Sequence, residues 1–296
     1  MENRHTAGQW AITLRQGPMM PSTEIDALEH SMAGIKLPAM IYKNSQVLLT
    51  NQTAKFCYEF NPIDALKLCG FEERERSLYR EGEMKSQHVN VIPAPVKVAM
   101  AHHWENRSVP VSSIFRETDT EEVKVSSLPV FGSSEWTYTT PYKGLLKGLP
   151  QDHVFEELPE NVKLEATEES IPLSRLGRNN PILWGGEVVF YEDELDDCGQ
   201  SRFYMRFRAM GDCWYGLLRC FVRVDNVIVR IYDTRIFHDY SSRSILREFQ
   251  VKESSYAELA SMGFAPNSQW ATDPYSSDIV FEYLNLRSVF KDKISY

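Results

Sequence analysis

Ser201-Arg-Phe-Tyr-Met-Arg-Phe-Arg-Ala-Met-Gly-Asp-Cys-Trp-Tyr-Gly-Leu-Leu-Arg-Cys-Phe-Val-Arg-Val-Asp-Asn-Val-Ile-Val-Arg-Ile-Tyr-Asp-Thr-Arg-Ile-Phe237 is the stretch that decides the fold. Phe203, Met205 and Phe207 alternate with Arg202, Tyr204, Arg206 and Arg208, the period of a strand with one buried face. A second strand reads from Trp214 to Val224 and a third from Val227 to Phe237. Asp225-Asn226 between them reads as a two-residue hairpin turn. That turn sets Val224 against Val227, Val222 against Val229, Cys220 against Ile231 and Leu218 against Asp233. The resulting face is apolar except for Asp233. The other face sets Arg223 against Ile228, Phe221 against Arg230 and Arg219 against Tyr232, where guanidinium planes can lie on rings.

Outward from this meander the signals thin. Trp10, Ile12 and Leu14 alternate with polar neighbours, as do Phe56, Tyr58 and Phe60, and both runs read as strands. Ile25, Leu28 and Met32 share one helical face within Pro21–Ala33, after the good N-caps Ser22 and Thr23. Asn61-Pro-Ile-Asp64 opens a short helix, with a cap at Asn61, proline at the first helical position and an acid in the first turn; Gly70 suits the stop. Val96–Arg107 reads as a helix and Trp136–Gly144 as a β-prone run that ends at Pro141 and turns by Gly144. Residues 145–181 read as irregular, with one short strand near Val162–Ala166, and Glu187–Tyr191 as a strand ending in an acidic turn. Residues 71–95 and 108–135 read as mobile insertions in a single domain spanning 1–296. The fold class is α+β, an antiparallel sheet or sandwich core with peripheral helices and long loops.

Composition narrows the function. The chain has 296 residues, 43% hydrophobic and 25% charged, a globular balance. Its net charge of −9 argues against a general binder of nucleic-acid backbone. The charge is segregated: residues 151–200 carry a net −10 and residues 201–250 a net +4, with nine arginines and no lysine. No apolar run reaches the length of a membrane span, and five cysteines without a CxxC pair suggest reduced thiols, in the cytosol or nucleus.

Each candidate site has a plain structural reading. The run Glu192-Asp-Glu-Leu-Asp-Asp197, with His238 and Asp239, could serve a metal- or carboxylate-dependent hydrolase. It lacks calcium-loop spacing, and a solvated turn explains it. The sequence holds no nucleotide-loop, zinc-protease or nucleophile-elbow motif, and no cofactor or metal is expected. The arginine ladder suits an anion, since guanidinium grips carboxylate or phosphate in bidentate fashion, or it is simply a solvated strand face. Arg219-Cys-Phe-Val-Arg-Val224 is a loose match to an RNA-binding sheet without its glycines. Asp233 needs a cation, and Arg235 two residues on could supply it. Asp64 is explained by its helix N-terminus.

Several segments in order resemble one family. Trp136-Thr-Tyr-Thr-Thr-x-Tyr-Lys-Gly144, Phe190-Tyr-Glu-Asp-Glu-Leu195, Arg230-Ile-Tyr-Asp-Thr-Arg235 and Leu246-Arg-Glu248, with Glu59-Phe-Asn-x-x-Asp-Ala-Leu66 upstream, are similar to the TIPRL family of TOR-signalling-pathway regulator-like proteins. The resemblance implies a non-enzymatic regulator that binds catalytic subunits of type 2A-like serine/threonine phosphatases, the type 4 and type 6 relatives included. It implies contact with the catalytic subunit's C-terminal tail, and in fungi a link to the phosphatase adaptor of TOR signalling. It maps partner contacts onto Asp64, Ile171, Ile231 and Asp233, with Ile231 in place of an expected methionine. The spacing adds Arg219, Arg223 and Arg230 as holders of the tail carboxylate. No nucleic acid or membrane partner is expected.

Overall fold

The computed structural model describes residues 1–32, 37–69, 98–99, 133–134, 139–151, 154–155, 157–177, 179–195, 199–264 and 276–296. Among these, two antiparallel sheets face each other. The smaller places β1 (Glu2–Ala7), β2 (Trp10–Arg15), β4 (Gln46–Asn51), β5 (Phe56–Phe60) and β6 (Leu145–Gly148) side by side. The larger runs in the order β7 (Lys163–Ala166), β13 (Asn285–Ser295), β12 (Ser244–Ser255), β11 (Ile228–Asp239), β10 (Cys213–Val224), β9 (Gly199–Ala209), β8 (Trp184–Asp193) and β3 (Met40–Ile41). Helices sit at the margins: α1 (Ser22–Ser31), α2 (Pro62–Leu66), α3 (Tyr256–Ser261) and α4 (Ser276–Tyr283). This is the α+β, sheet-dominated class expected from the sequence.

One core fills the gap between the sheets. Trp10, Ile12, Leu14, Val47, Leu49, Phe56, Tyr58 and Phe60 meet Phe203, Met205, Phe207, Trp214, Leu218, Cys220, Val222 and Tyr232. The period-2 alternation puts these side chains on the inner faces. Trp10 makes edge-to-face contacts with both Phe56 and Trp214, ring centroids 5.5 Å apart in each pair. Across the same gap Arg247 of β12 donates to Tyr58 Oη of β5 at 3.2 Å and grips Asp292 of β13 with Nε at 2.8 Å and Nη2 at 2.5 Å. Arg247 and Asp292 are directly opposite in the ladder, so one bidentate pair ties two strands to each other and to the facing sheet. Gly144 lies at φ +83°, against the rings of Tyr58 and Phe60, where any side chain would collide. The four described cysteines, Cys57, Cys69, Cys213 and Cys220, are buried and unbridged. Burial pushes the Cys57 thiol up to about 11.

The structure corrects several expectations. The β10–β11 loop has three residues, 225–227, because the pairing begins at Val224↔Ile228. Val227 N–H donates to Val224 C=O at 3.0 Å, and Asn226, at φ +61°, takes the left-handed position that the turn requires. One extra loop residue inverts every β11 side chain relative to β10. Arg219 therefore opposes Asp233, Phe221 opposes Ile231, and Arg230 joins the inner side opposite Val222. The α1 cap is Pro21, without a side-chain bond, and Ser22 already lies inside the helix. Val98–Ala99 form a two-residue ladder with Ser133–Ser134, where a helix was expected for the former; the rest of that helix, and insertions 71–95 and 108–135 apart from Ser133–Ser134, lie outside the described residues. So do residues 136–138 of the β-prone run. Thr139–Gly144 is not a strand, for its polar groups bind other segments: Thr140 Oγ1 reaches Ala65 C=O at 2.8 Å and Tyr142 Oη reaches Glu59 C=O at 3.2 Å. Leu145–Gly148 is a strand where an irregular segment was expected.

His238 is buried on the inner face among Trp10, Trp214, Tyr240 and Tyr296. Burial lowers its pKa from the usual 6.5, although the Ser244 carbonyl and Asp239 pull the other way. The unfolded chain therefore binds a proton here before the folded one does, so stability is full above about pH 6.5 and falls as pH drops below it. Melting temperature should decline between pH 7.5 and pH 5.5, and the decline should be shallower in His238→Phe. Equal slopes for both proteins would show that His238 is not the group responsible.

Candidate functional site

The outer face of the larger sheet is where the sequence-derived site residues gather, and the hairpin register decides how. Arg219 and Asp233, opposite each other at its centre, form a bidentate pair: Nε to Oδ1 at 2.7 Å and Nη2 to Oδ2 at 2.8 Å. Arg219 Nη1 also donates to Asp278 Oδ1 at 2.6 Å and Ser277 Oγ at 3.0 Å, both from α4. Its guanidinium lies 5.0 Å from the centroid of Phe281 on the same helix. Arg219 is 1% exposed and Asp233 0%. Burial disfavours the guanidinium charge, but Asp233 more than offsets it and raises the Arg219 pKa above its ordinary value. Both groups thus stay ionised in a nearly dry place, which only close pairing permits.

Two apolar clusters flank this pair. On one side Phe221, Val229 and Ile231 pack under α3 and α4 through Leu259, Val280, Phe281 and Leu284. The Ser255 side chain and Glu258 cap α3 reciprocally, which holds that helix on the sheet. On the other side Ile171, Met210, Cys213, Tyr215, Leu217 and Phe237 pack together, and Glu248 accepts the Ile171 N–H at 2.7 Å. Leu173, two residues beyond Ile171, is 54% exposed.

Along the margin of the second cluster runs a strip in which its Leu217 shares one cross-strand row with Arg206 and Arg235. Arg206 is held by Glu187 at 2.8 Å and Asp278 at 3.1 Å. Arg235 lies 5.0 Å over Phe281 and reaches Asp233 at a long 3.5 Å. Its Nε has no hydrogen-bond partner among the described residues. Lys252 adds a third cation over Phe281, 4.2 Å from the centroid. The strip therefore joins positive charge to apolar and aromatic surface, a combination suited to an acidic or carboxylate-ended chain.

The other predicted residues lie apart. Arg223 is on the outer face, engaged with Asp225 at 2.9 Å, while Arg230 points inward to Glu253 at 2.5 Å. The two do not share a face, contrary to the expected arginine ladder, because of the three-residue loop. Asp64 stands on α2, whose Ala65 and Leu66 belong to the core between the sheets. There the Asn61 side-chain carbonyl accepts the Asp64 N–H at 2.9 Å, and its amide donates back to Asp64 Oδ2 at 2.8 Å. Burial raises the Asp64 pKa, yet hydrogen bonds from Asn61 and Lys67 outweigh it and leave the carboxyl below its usual range. No contact among the described residues links Asp64 to Asp233. Ile231 is 0% and Ile171 4% exposed, so both act from beneath the surface.

The carboxylates suggested for hydrolysis do not converge. Glu192 pairs with Arg202 at 2.6 Å, and Asp193 accepts the N–H groups of Leu195 at 2.6 Å and Ala39 at 2.8 Å. Asp193 shares a cross-strand row with Val222, whereas His238 pairs with Trp214, a separation of roughly 26 Å along the strands. Asp196 and Asp197 lie outside the described residues. The aromatic residues of β9 and β10 that an RNA-binding sheet would present, Tyr204 and Phe221, are 1% and 6% exposed.

These features define a class of protein: an antiparallel two-sheet fold whose larger sheet carries a braced, arginine-rich outer face. The comparisons are more specific. Residues 40–260 match the model of the TIP41-like family. A TIP41-like protein of Dictyostelium discoideum is 31% identical over 86% of this chain and 81% of its own length. The human TIP41-like protein is 28% identical over 98% of this chain and 88% of its own. The Type 2A phosphatase activator TIP41 of Saccharomyces cerevisiae is 30% identical over 84% of this chain, which spans 62% of that longer protein. The chain belongs to the TIP41-like family, the family whose resemblance the segments above carry as TIPRL.

A variant series tests the central pair. Asp233→Leu leaves Arg219 buried without its main counter-charge and should cost about 3–5 kcal/mol in urea unfolding. The double variant Arg219→Met/Asp233→Leu should recover most of that loss, since two apolar groups replace two charges. A single variant as stable as wild type would contradict the buried pairing.

Proposed function

We propose that this protein binds the catalytic subunit of a type 2A-like serine/threonine phosphatase and regulates its activity or assembly, making and breaking no bonds itself. The observation that carries this reading is family membership together with the yeast relative's name, a type 2A phosphatase activator. The partner range extends to the type 4 and type 6 relatives, and the setting is TOR signalling, with its phosphatase adaptor as a second partner. The protein works in the cytosol, and in the nucleus where its partner is found there.

The outer face supplies a physical route. In this proposal the phosphatase body meets the apolar margin beside Leu173, and its C-terminal tail lies along the strip between Ile171 and α4. Arg235, whose side chain keeps 14% exposure and whose one described carboxylate contact is a long 3.5 Å to Asp233, is the guanidinium best placed to take a carboxylate through its Nη groups. Arg219 and Arg223 brace the face through Asp233, Asp278 and Asp225, and Arg230 braces the inner side through Glu253. Ile231 and Asp233 contribute by holding that floor, and Asp64 offers a separate acidic contact on α2.

Purified phosphatase catalytic subunit should bind the wild-type protein in biolayer interferometry. Arg235→Gln should weaken binding about tenfold, the loss of one charge-assisted contact, without lowering the melting temperature. A synthetic tail peptide with a free carboxylate should compete better than its amide. Unchanged binding by Arg235→Gln and equal competition by both peptides would remove the strip from the interface; no binding by wild type would remove the phosphatase.

A further inference from the structure

Among the described residues, the larger sheet has an open edge at β8. The backbone neighbours of that edge, among the same residues, are Met40 and Ile41 of β3, opposite Glu192 and Tyr191, and Tyr42, whose N–H donates to Phe190 C=O at 2.9 Å. One step back, Gln16 imitates a strand: its side-chain carbonyl accepts the Val189 N–H at 2.8 Å and its amide donates to Val189 C=O at 3.1 Å. Val189 therefore turns its backbone groups away from β9. Strand pairing between Trp184 and Val189 is regular, so Glu187 and Gly185 turn theirs the same way. No described group bonds to these edge positions, and Gly186 and Glu187 are exposed. Among the described residues, no other strand edge sets a glycine opposite an arginine.

The β8 edge has one. Arg208 of β9 lies directly opposite Gly185, is exposed, and has no ion-pair partner among the described residues. Arg202 and Arg206, its neighbours on the same face, are both held by Glu187. Gly185 has no side chain to stand between Arg208 and an added strand. Nor can it acquire one readily, because a Cβ there would fall 2.3 Å from the Phe207 carbonyl oxygen. Two strand spacings, roughly 10 Å, separate β9 from the lane beyond β8, a distance that an arginine and a glutamate side chain cover together. At the next outward position both carboxylate oxygens of Glu187 are taken up by Arg202 and Arg206, so Arg208 is the charge that selects the added strand.

We propose that the open edge of β8 accepts an extended peptide segment as an added antiparallel strand, with an acidic side chain opposite Gly185 that pairs with Arg208. The backbone groups of Gly185 and Glu187 supply affinity, and Arg208, reached over the bare glycine, supplies selectivity. The residue two positions away lies opposite Glu187, whose carboxylate already serves Arg202 and Arg206, so a basic side chain there is accommodated but not required. The segment is short, because Gln16 and β3 occupy the same lane beyond Val188. This inference stands independently of the phosphatase reading and concerns a different part of the protein from the Arg235 strip.

The probe is a fluorescein-labelled peptide, acetyl-Thr-Lys-Val-Glu-Val-Thr-amide, with the full-length chain. Fluorescence polarisation should show saturable binding, weakened about tenfold or more by Arg208→Glu through charge reversal. Glu187→Pro, which removes an edge N–H at a position where an outer strand tolerates proline, should abolish it. Glu187→Gln should keep most of it, separating loss of the N–H from loss of the carboxylate. Replacing the peptide's Glu by Lys should weaken wild-type binding and restore binding to Arg208→Glu. In parallel, the Gly185 and Glu187 amides should exchange quickly in the free protein and slow with peptide. Absence of binding by wild type at millimolar peptide, or equal binding by wild type, Arg208→Glu and Glu187→Pro, would overturn the proposal.

Discussion

The bidentate contact between Arg219 and Asp233 depends on one residue in a hairpin loop. With three residues between β10 and β11 the two charges meet on one face; with two they would point to opposite sides of the sheet. The same count sends Val229 and Ile231 outward beneath α3 and α4, and Tyr232 and Ile236 inward to the core. It also lets α4 bring Asp278 and Ser277 to the remaining guanidinium nitrogen. The charge pattern at the centre of the outer face follows from this register, for every β10–β11 neighbour there is set by it.

Buried ions recur as fasteners in this protein. Arg247, Asp292 and Tyr58 perform between the sheets what Arg219, Asp233 and Asp278 perform on the outer face. In each case the guanidinium fork occupies two carboxylate oxygens and keeps a further nitrogen for a third element. Such pairs add little net stability over apolar packing, but breaking one is costly because a lone charge remains. They act chiefly as registers: an antiparallel slip of one residue would separate both partners at once. A fixed surface, with most of its arginines already committed, leaves few cations available to a partner, and Arg235 and Arg208 are prominent among those that remain.

The parts of the sequence that could be read are those with unbroken alternation. β2 and β5 carry apolar residues at every inward position, β9 does so from Phe203 to Ala209, and Asn61-Pro-Ile-Asp64 marks α2 by its cap. β12 and β13 were hidden because Arg247 and Asp292 occupy inward positions and interrupt the apolar period. A charge on each of two strands is the signal that could have paired them, though nothing in the local pattern says which carboxylate answers which arginine. The hairpin turn was misread because Asp225-Asn226 fits a two-residue loop as well as the first part of a three-residue one. Of the site, Asp233 was recognised as needing a cation but was set on the apolar face with Leu218, away from Arg219. Arg235 was seen only as a partner for Asp233, since its place beside Phe281 depends on a helix forty residues away in sequence. The Gly185 gap opposite Arg208 is a property of pairing and is invisible along a single strand.

The central claim is that this family member meets its partner through the outer face of the larger sheet. Hydroxyl-radical footprinting of the protein alone and in complex with a type 2A phosphatase catalytic subunit tests it most directly. The account predicts that Leu173, Ile279 and Tyr283, all well exposed in the isolated chain, lose reactivity in the complex. Protection confined to Met19 and Leu158, with those three residues unchanged, would contradict it.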